Sequence, residues 1–375
     1  MRVSLQEKYE LLGCIQCGRC TAGCPVSMRT HLNVRKVVYD GMTGVGPKDA
    51  KGRPEAWNCT TCSNCTERCP KGVKPMELVI GLRSAAIEKG KIEPTVRDAL
   101  ESTFKHGNPW GRIRDKRTEW SDELDVPVAG DEEAIPLLFY VGCTPAYDPR
   151  AQSIAKALVA LFAAAGVEYS TLGTAESCCG NEIKRMGEEG LFEMLVEGNK
   201  EALGSHEVGT IVTGSPHCMN TFANEYGDLG SDVVHYTQLL ASLMKDGKLT
   251  LKGSVDKKVT YHDACFLGKH NGIYDEPREV LERIPGVEFV EMDRSRERAL
   301  CCEGGGGRMW VEAIDERGER LAETRVKDAV ALGADYLVTS CPFCLLTLED
   351  AVKTSGNEGK IEIIDLAELA AMALE

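Results

Sequence analysis

Long hydrophobic runs are missing from this chain. The longest apolar stretch, Ile154 to Val167, is too short to cross a bilayer and contains Lys156, so it reads as a helix packed in a protein core. Met1 to Gly13 lacks a positively charged start followed by a long apolar run, so no secretory signal is visible. The expected location is therefore cytoplasmic, or peripheral on the inner face of a membrane through a partner subunit. Positive charge is also short: 44 Lys and Arg stand against 58 Asp and Glu, a net charge of -14. Such a surface repels phosphate backbones, which argues against a nucleic-acid partner. The basic run from Lys105 to Arg117 is the local exception, and reads as a solvated linker or as a docking strip for an acidic partner. Phosphate-binding signatures are lacking too. The four glycines 304–307 are not followed by the lysine and serine of a P-loop, and no GxGxxG opens a fitting strand–helix unit. They read as backbone that approaches a cluster or substrate closely. No flavin, nicotinamide or haem attachment motif appears, so such cofactors belong to partners.

Cysteine is what the chain has in excess, 17 in 375 residues. An oxidised secreted scaffold is more often short, with even-numbered, spread cysteines. Here the number is odd and most cysteines fall in CxxC or CC groups, which points to metal in a reducing compartment. The run Cys14-x2-Cys17-x2-Cys20-x3-Cys24-Pro25 returns as Cys59-x2-Cys62-x2-Cys65-x3-Cys69-Pro70. This is the bacterial ferredoxin pattern twice over. Three closely spaced thiolates grip three corners of one cubane, and the fourth comes from the other run. Cys14, Cys17, Cys20 and Cys69 are thus expected to hold one [4Fe–4S] cluster, and Cys59, Cys62, Cys65 and Cys24 another. Zinc, which favours two pairs of ligands, fits the runs poorly.

A second kind of cysteine set follows, also in two copies. Cys143, Cys178-Cys179-Gly180 and Ser215-Pro216-His217-Cys218 precede Cys265, Cys301-Cys302 and Cys341-Pro342-Phe343-Cys344. The offsets are 122 (143 to 265), 123 (178 to 301) and 126 (218 to 344) residues, which marks an internal duplication. The ferredoxin-type runs take eight cysteines, the first copy four and the second five, which accounts for all 17.

The pattern between these motifs gives an α+β multidomain chain. Residues 1–105 form a helical two-cluster ferredoxin-like domain, with helices at Leu5–Leu12, His31–Tyr39, Met76–Lys89 and Pro94–Lys105. Residues 106–135 form a linker, ending in Gly130-Asp131-Glu132-Glu133. The first cysteine-rich repeat, incomplete, covers 136–250 and the second, complete, covers 251–375. Strands are expected at Leu137–Gly142, Thr210–Thr213, Val259–His262 and Tyr336–Thr339. Helices are expected at Ile154–Ala165, Leu191–Leu203, Phe222–Tyr226, Thr237–Met244, Pro277–Arg283, Val311–Leu332 and Leu366–Leu374. Alternating strands and helices imply α/β repeats with parallel sheets, and the cysteines fall at the strands' carboxyl ends, where such sheets build sites.

Two ferredoxin runs ahead of a twofold C…CC…CxxC arrangement resemble the D-type subunit of heterodisulfide reductase, over essentially the whole chain. Pro216-His217-Cys218, Tyr261-His262-Asp263-Ala264-Cys265 and the stretch Gly304 to Trp310 also resemble the wider group of iron–sulfur subunits of glycolate, lactate and glycerol-3-phosphate oxidising complexes. The resemblance implies an enzyme of methanogenesis that reduces the disulfide of coenzyme M and coenzyme B. Electrons would arrive through the two cubanes at noncubane four-iron centres. The implied catalytic set is Cys265, Cys301, Cys302, Cys341 and Cys344 with His262, and the Cys265 set is expected to hold one noncubane cluster. Cys143, Cys178, Cys179 and Cys218 hold a further, altered centre. Partners are an electron-donor subunit, either a b-type membrane cytochrome or a flavoprotein, and a small disulfide or thiol substrate.

The chain departs from that pattern twice. Ser215 stands where cysteine is expected, so four thiolates hold a cubane or Ser215 offers a weaker oxygen ligand. Glu303 replaces the glycine after Cys301-Cys302, and either supplies a proton or faces solvent. Ser215 favours an alternative reading: an iron–sulfur electron-transfer subunit passing electrons from a flavoprotein dehydrogenase to a quinone or phenazine. A third reading is an oxidoreductase acting on another small disulfide, and Cys341–Cys344 alone reads as a thioredoxin-like dithiol. His217, His262, Asp263 and His270 lie beside the cysteines and read as proton carriers or as hydrogen-bond donors to sulfur.

Overall fold

The computed structural model describes residues 5–43, 54–130, 134–314 and 317–374. In the first repeat, β1 (Ala134–Tyr140), β2 (Glu207–Thr213) and β3 (Asp232–His235) form a parallel sheet in that order. In the second, β4 (Lys257–Tyr261), β5 (Val287–Phe289), β6 (Tyr336–Thr339) and β7 (Glu362–Asp365) form a parallel sheet in the order β5-β4-β6-β7. The strands bury their carboxyl ends most deeply: β1 and β2 each end in three consecutive buried residues. That is the mark of a parallel sheet covered by helices on both faces. Strands β3, β5 and β7 are too short and too polar to stand out in the sequence. They form because a parallel neighbour supplies their ladder.

The repeats pack on each other through helices. Gln152–Ala164 buries Ile154, Ala155, Leu158, Leu161 and Phe162, one face at helical spacing, and packs on Leu366–Ala371 of the second repeat. Tyr236–Lys245 packs on Asp275–Glu282 in the same way. Each Leu or Phe buried at this seam contributes about 1.5–3 kcal/mol. Tyr236 Oη donates to Asp365 Oδ1 at 2.6 Å across it.

The N-terminal domain is helical, as its sequence indicates. Its longest helices are Val34–Met42, Pro75–Ile87 and Pro94–His106. Asn33 caps the first by accepting from the Lys36 amide, and proline opens the other two, where its missing N–H costs nothing. One buried side chain ties this domain to both repeats. Arg83, fully buried, donates to the carbonyls of Ala56 (2.9 Å) and Cys59 (2.5 Å), to Arg185 of the first repeat (2.7 Å) and to Gly306 of the second (2.9 Å).

The long helix expected over Val311–Leu332 is corrected: it begins at Leu321 and ends at Ala331. Residues 315–316 of that span lie outside the described residues. The described residues of the preceding stretch, 311–314 and 317–320, stay irregular because the N-terminal domain takes backbone groups of theirs. Asn58 Nδ2 donates to the Ile314 carbonyl at 3.0 Å and Asn58 Oδ1 accepts from the Ile314 amide at 2.7 Å; the Arg317 amide donates to the Arg29 carbonyl at 2.8 Å. The lead-in helix is shorter than expected, Leu5–Lys8, followed by a 3-10 turn at Leu11–Gly13. Phe222–Tyr226 is the end of a longer helix, Pro216–Glu225. Residues 131–133 of the expected linker lie outside the described residues. Its basic run is not solvated throughout, since Arg117 is 2% exposed.

Candidate metal centres

All 17 cysteines are free thiols, and they gather in four groups. Cys14, Cys17, Cys20 and Cys69 line one cavity beside Arg35 and Pro70. Cys24, Cys59, Cys62 and Cys65 line a second. In each, the last cysteine of one run joins the first three of the other. Cys143, Cys178, Cys179 and Cys218 line a third, with Ser215 on its wall. In the second repeat, Cys302 and Cys344 lie 3.2 Å apart, Cys301 bonds the Cys265 and Cys302 thiols, and Cys341 bonds Cys344. Local structure sets these positions. Ser215 and Cys341 each sit two residues beyond β2 and β6, at the N-cap of a helix whose first residue is proline.

Three of the groups adjoin in a row. The Cys301 thiol bonds Cys62 and lies 3.3 Å from Thr60 Oγ1, so the second ferredoxin-type group abuts the Cys265 group. The glycine loop makes that approach possible. At Gly306, φ is +70° and a Cβ would lie 2.7 Å from the Thr60 carbonyl carbon, so no other residue fits. On the far side, His217 bonds Cys341, although its neighbour Cys218 belongs to the first repeat's group. The His217 ring stacks on Phe266 at 4.1 Å, and Phe266 stacks on His270 at 4.1 Å. His270 Nε2 lies 2.9 Å from the Thr61 carbonyl. Exposure is least in the middle: Cys17 is exposed and Cys265 half-buried, Cys301, Cys302, Cys341 and Cys344 are at most 3% exposed, and the Cys143 group is also buried.

The donor chemistry fits iron–sulfur clusters. Burial, then the neighbouring Cys62 thiol, push Cys24 up to about 12. Burial and then Cys59 raise Cys65 likewise. Thiols so crowded resist ionisation unless a cationic core compensates, as iron would. Cys341 goes the other way: burial alone would raise it, but the Cys344 thiol and His217 outweigh burial and hold it well below the usual thiol range. Burial would lower His217, but the Cys341 thiolate and Glu182 carry it up to about 10. Its Nδ1 lies 3.0 Å from both Glu182 Oε1 and Asn181 Nδ2.

Side chains invisible in the motif surround the repeats' cysteines. Arg117 pairs with buried Glu176, and its two terminal nitrogens lie 3.9 Å from Cys143 Sγ. Glu176 also accepts from the backbone amides of Val141 (3.0 Å) and Gly142 (2.8 Å). Glu303, expected to supply a proton or face solvent, is 9% exposed and bonded to Arg29 at 2.7 Å. These pairs bridge 59 and 274 residues, so no local sequence signal announces them. Among the predicted residues, His262 has a ligating atom within 4.8 Å of the Cys302 and Cys344 sulfurs. Burial first, and then Arg325, hold its imidazole down to about 3, and Arg325 Nε donates to its Nδ1 at 3.2 Å. Asp263 is bound to Arg278 at 2.8 Å and 3.0 Å. Trp110 and Trp310, edge-to-face at 5.7 Å, wall the Cys143 cavity together with Phe343.

A 4Fe-4S dicluster domain model matches residues 10–73, and a cysteine-rich domain model matches residues 137–223 and 259–349. The chain is 33% identical to the D-type subunit of the dihydromethanophenazine:CoB–CoM heterodisulfide reductase of Methanosarcina mazei, across 97% of this chain and 94% of that one. The chain belongs to this family of iron–sulfur oxidoreductases. The family also reaches bacteria. The chain is 34% identical, over 97% of its length, to "Probable iron-sulfur-binding oxidoreductase FadF" of Bacillus subtilis, and 33% identical, over 99%, to "EtfAB:quinone oxidoreductase" of Syntrophomonas wolfei. It spans about 60% of the length of those two relatives. Among solved structures, a hypothetical protein from Helicobacter pylori shares the fold alone: TM-score 0.51 at 11% identity, over 83% of this chain and 60% of that one. Among the described residues no helix is long and apolar enough to cross a membrane.

Proposed function

We propose that this chain is an electron-relaying iron–sulfur subunit that carries single electrons between a flavoprotein dehydrogenase and a quinone or phenazine carrier. The observation behind this reading is the row of adjoining thiol groups, from Cys62 through Cys301 and Cys341 to His217 and the Cys143 group; the remaining group, with exposed Cys17, is built from the same two runs as the Cys62 group. Clusters held by such groups take up and release one electron at a time. The chain's own residues hold the groups in order and exclude water: Arg83 and the 304–307 loop on one side, the stacked His217, Phe266 and His270 on the other. Two features speak for relay over disulfide cleavage. Ser215 leaves the first repeat one thiol short, and the burial of Cys301, Cys302, Cys341 and Cys344 leaves a small disulfide only the half-buried Cys265 to approach in the second. The names of the Bacillus and Syntrophomonas relatives agree with the reading.

Reduction of the coenzyme M–coenzyme B disulfide is the second reading. The near-equal length match to the Methanosarcina relative and the complete Cys265, Cys301, Cys302, Cys341 and Cys344 set favour it, with a b-type cytochrome as donor. One experiment separates the two. Anaerobically loaded, fully reduced protein is mixed in a stopped-flow cell with a soluble quinone or phenazine, or with the heterodisulfide. The relay reading expects reoxidation by the carrier and none by the disulfide. Reoxidation by the heterodisulfide, with two thiols released per disulfide, would establish the second reading instead.

A further inference from the structure

The two repeats surround their cysteines with different charged groups: Arg117, from the linker, in the first, and His217 with an Arg29-paired Glu303 in the second. In the first, the Arg117 guanidinium is 2% exposed and sits under the Tyr147 ring, 3.9 Å from Cys143 Sγ through both terminal nitrogens. Its partner Glu176 is equally buried, but that carboxylate is also occupied by the Val141 and Gly142 amides. The group has four thiols, with Ser215 in place of a fifth. The second repeat has five thiols; Glu303 follows directly on Cys302 but its carboxylate is paired with Arg29, and His217 bonds Cys341. We infer that Arg117 is a potential-setting residue that makes the Cys143 centre easier to reduce, which favours it as the end towards which electrons run.

The inference rests on the relay reading and adds its direction. Reduction adds one negative charge to a centre. A fixed cation within 4 Å in a water-poor interior favours that added charge strongly, and one thiolate fewer means less charge to add it to. The electron gained at the Cys143 centre is the one lost by the Cys265 centre; no bond breaks and no proton is required. Arginine suits the role because it stays charged at any working pH.

The test is an anaerobic redox titration of the loaded protein followed by EPR, taking as the Cys143 centre the signal that Cys218→Ser removes. Arg117→Gln should lower that centre's reduction constant at least tenfold, ~59 mV for one electron. Glu176→Gln should shift it the opposite way, and Arg117→Lys should retain most of the wild-type value. A merely structural role would not give shifts of opposite sign. Should a single variant fail to fold, the double variant Arg117→Gln/Glu176→Gln leaves no buried charge unpaired. It must still lower the constant, because the guanidinium lies against the thiol. Unmoved constants, or shifts of the same sign in both single variants, would overturn the inference. A failure of the relay reading looks different: the constants shift as expected, yet no quinone or phenazine reoxidises the protein.

Discussion

The two repeats share one plan and differ in the residues that surround the plan's cysteines. Each runs strand, cysteine, CC pair, strand, N-capped helix. After the first CC pair comes Gly180, with φ +84° and no room for a Cβ, which would lie 2.7 Å from Phe192. At the same point of the second repeat Glu303 takes φ +71°, a conformation that costs a side-chain-bearing residue about 1 kcal/mol or more. What holds it there is Arg29, from the N-terminal domain. The fourth strand differs too. β5 pairs with β4 in the second repeat, whereas at the corresponding place the described residues of the first show isolated bridges, Leu138 to Ser170 and Val128 to Thr171. The first copy thus keeps its backbone relaxed at this turn, and its thiols meet Arg117 from the linker before it. The second accepts strain and is tied to the incoming domain. This is the arrangement expected if the second repeat, whose Cys301 meets Cys62, receives from the ferredoxin-type groups.

The largest expected effect comes from breaking the tie on the strained side. Glu303→Ala removes the carboxylate partner of a buried guanidinium and should cost about 3–5 kcal/mol in anaerobic urea unfolding. The paired change Glu303→Gly with Arg29→Met gives the second repeat the first one's glycine and removes the stranded charge. It should recover most of that loss. A Glu303→Ala protein as stable as wild type would mean that the repeats do not differ in this way.

Exchanging the diagnostic residues sharpens the comparison chemically. Cys341→Ser should lose about a quarter of the bound iron, about 4 of about 16 for four four-iron clusters. Ser215→Cys should give 18 titratable thiols after metal removal instead of 17, and an altered EPR signal from the first repeat alone. Iron content and EPR of the loaded variants decide it. Unchanged iron in Cys341→Ser would remove that thiol from the ligand set.

The equivalent caps should respond to pH with opposite sign. His235 pairs with Thr213 at the end of β3, and Asp365 pairs with Thr339 at the end of β7; each caps the following helix, and both are fully buried. Burial holds His235 down to about 3 and, against the bonds from Tyr236 and Ala367, lifts Asp365 to about 8. His235 therefore contributes stability that is present above about pH 6.5 and is lost as pH falls towards 3. Asp365 contributes stability that is full below about pH 4 and is lost as pH rises through 8. Between roughly pH 4 and 6.5 the slopes, each up to ~1.4 kcal/mol per pH unit, oppose one another. Asp365→Asn should leave the rising His235 slope uncovered, and chemical denaturation across that range would show it. A flat profile in the variant would contradict the His235 assignment, and a profile unchanged from wild type would contradict that of Asp365.

Much of this plan is legible in the sequence because cysteine spacing is set by covalent geometry. The ferredoxin-type runs, the offsets between repeats and the strands leading to Cys143, Ser215, Cys265 and Cys341 are local features, and local features survive in one dimension. What stays hidden depends on partners far along the chain. Arg117 lies in a basic run that looks solvated, and nothing near it points to Glu176. The stretch from Val311 to Arg320 has helical character in isolation, but Asn58 and Arg29 offer its backbone better-placed partners. Glu303 reads as an oddity until Arg29 arrives from 274 residues away.

The outer edge of the seam should matter least, and a test there guards against reading every ion pair as structural. Arg150, at the start of the first repeat's Gln152–Ala164 helix, bonds Glu349 at 2.5 Å and Glu368 at 2.8 Å in the second repeat. In geometry it rivals the buried pairs, but its side chain is 31% exposed. Water and salt already solvate much of that charge, so Arg150→Ala should cost only about 0.2–1 kcal/mol, less at high ionic strength. The inner seam, where Tyr236 meets Asp365 among apolar helices, carries the repeat–repeat association. A loss in Arg150→Ala as large as that in Glu303→Ala, unaffected by salt, would place the joint at the outer edge instead.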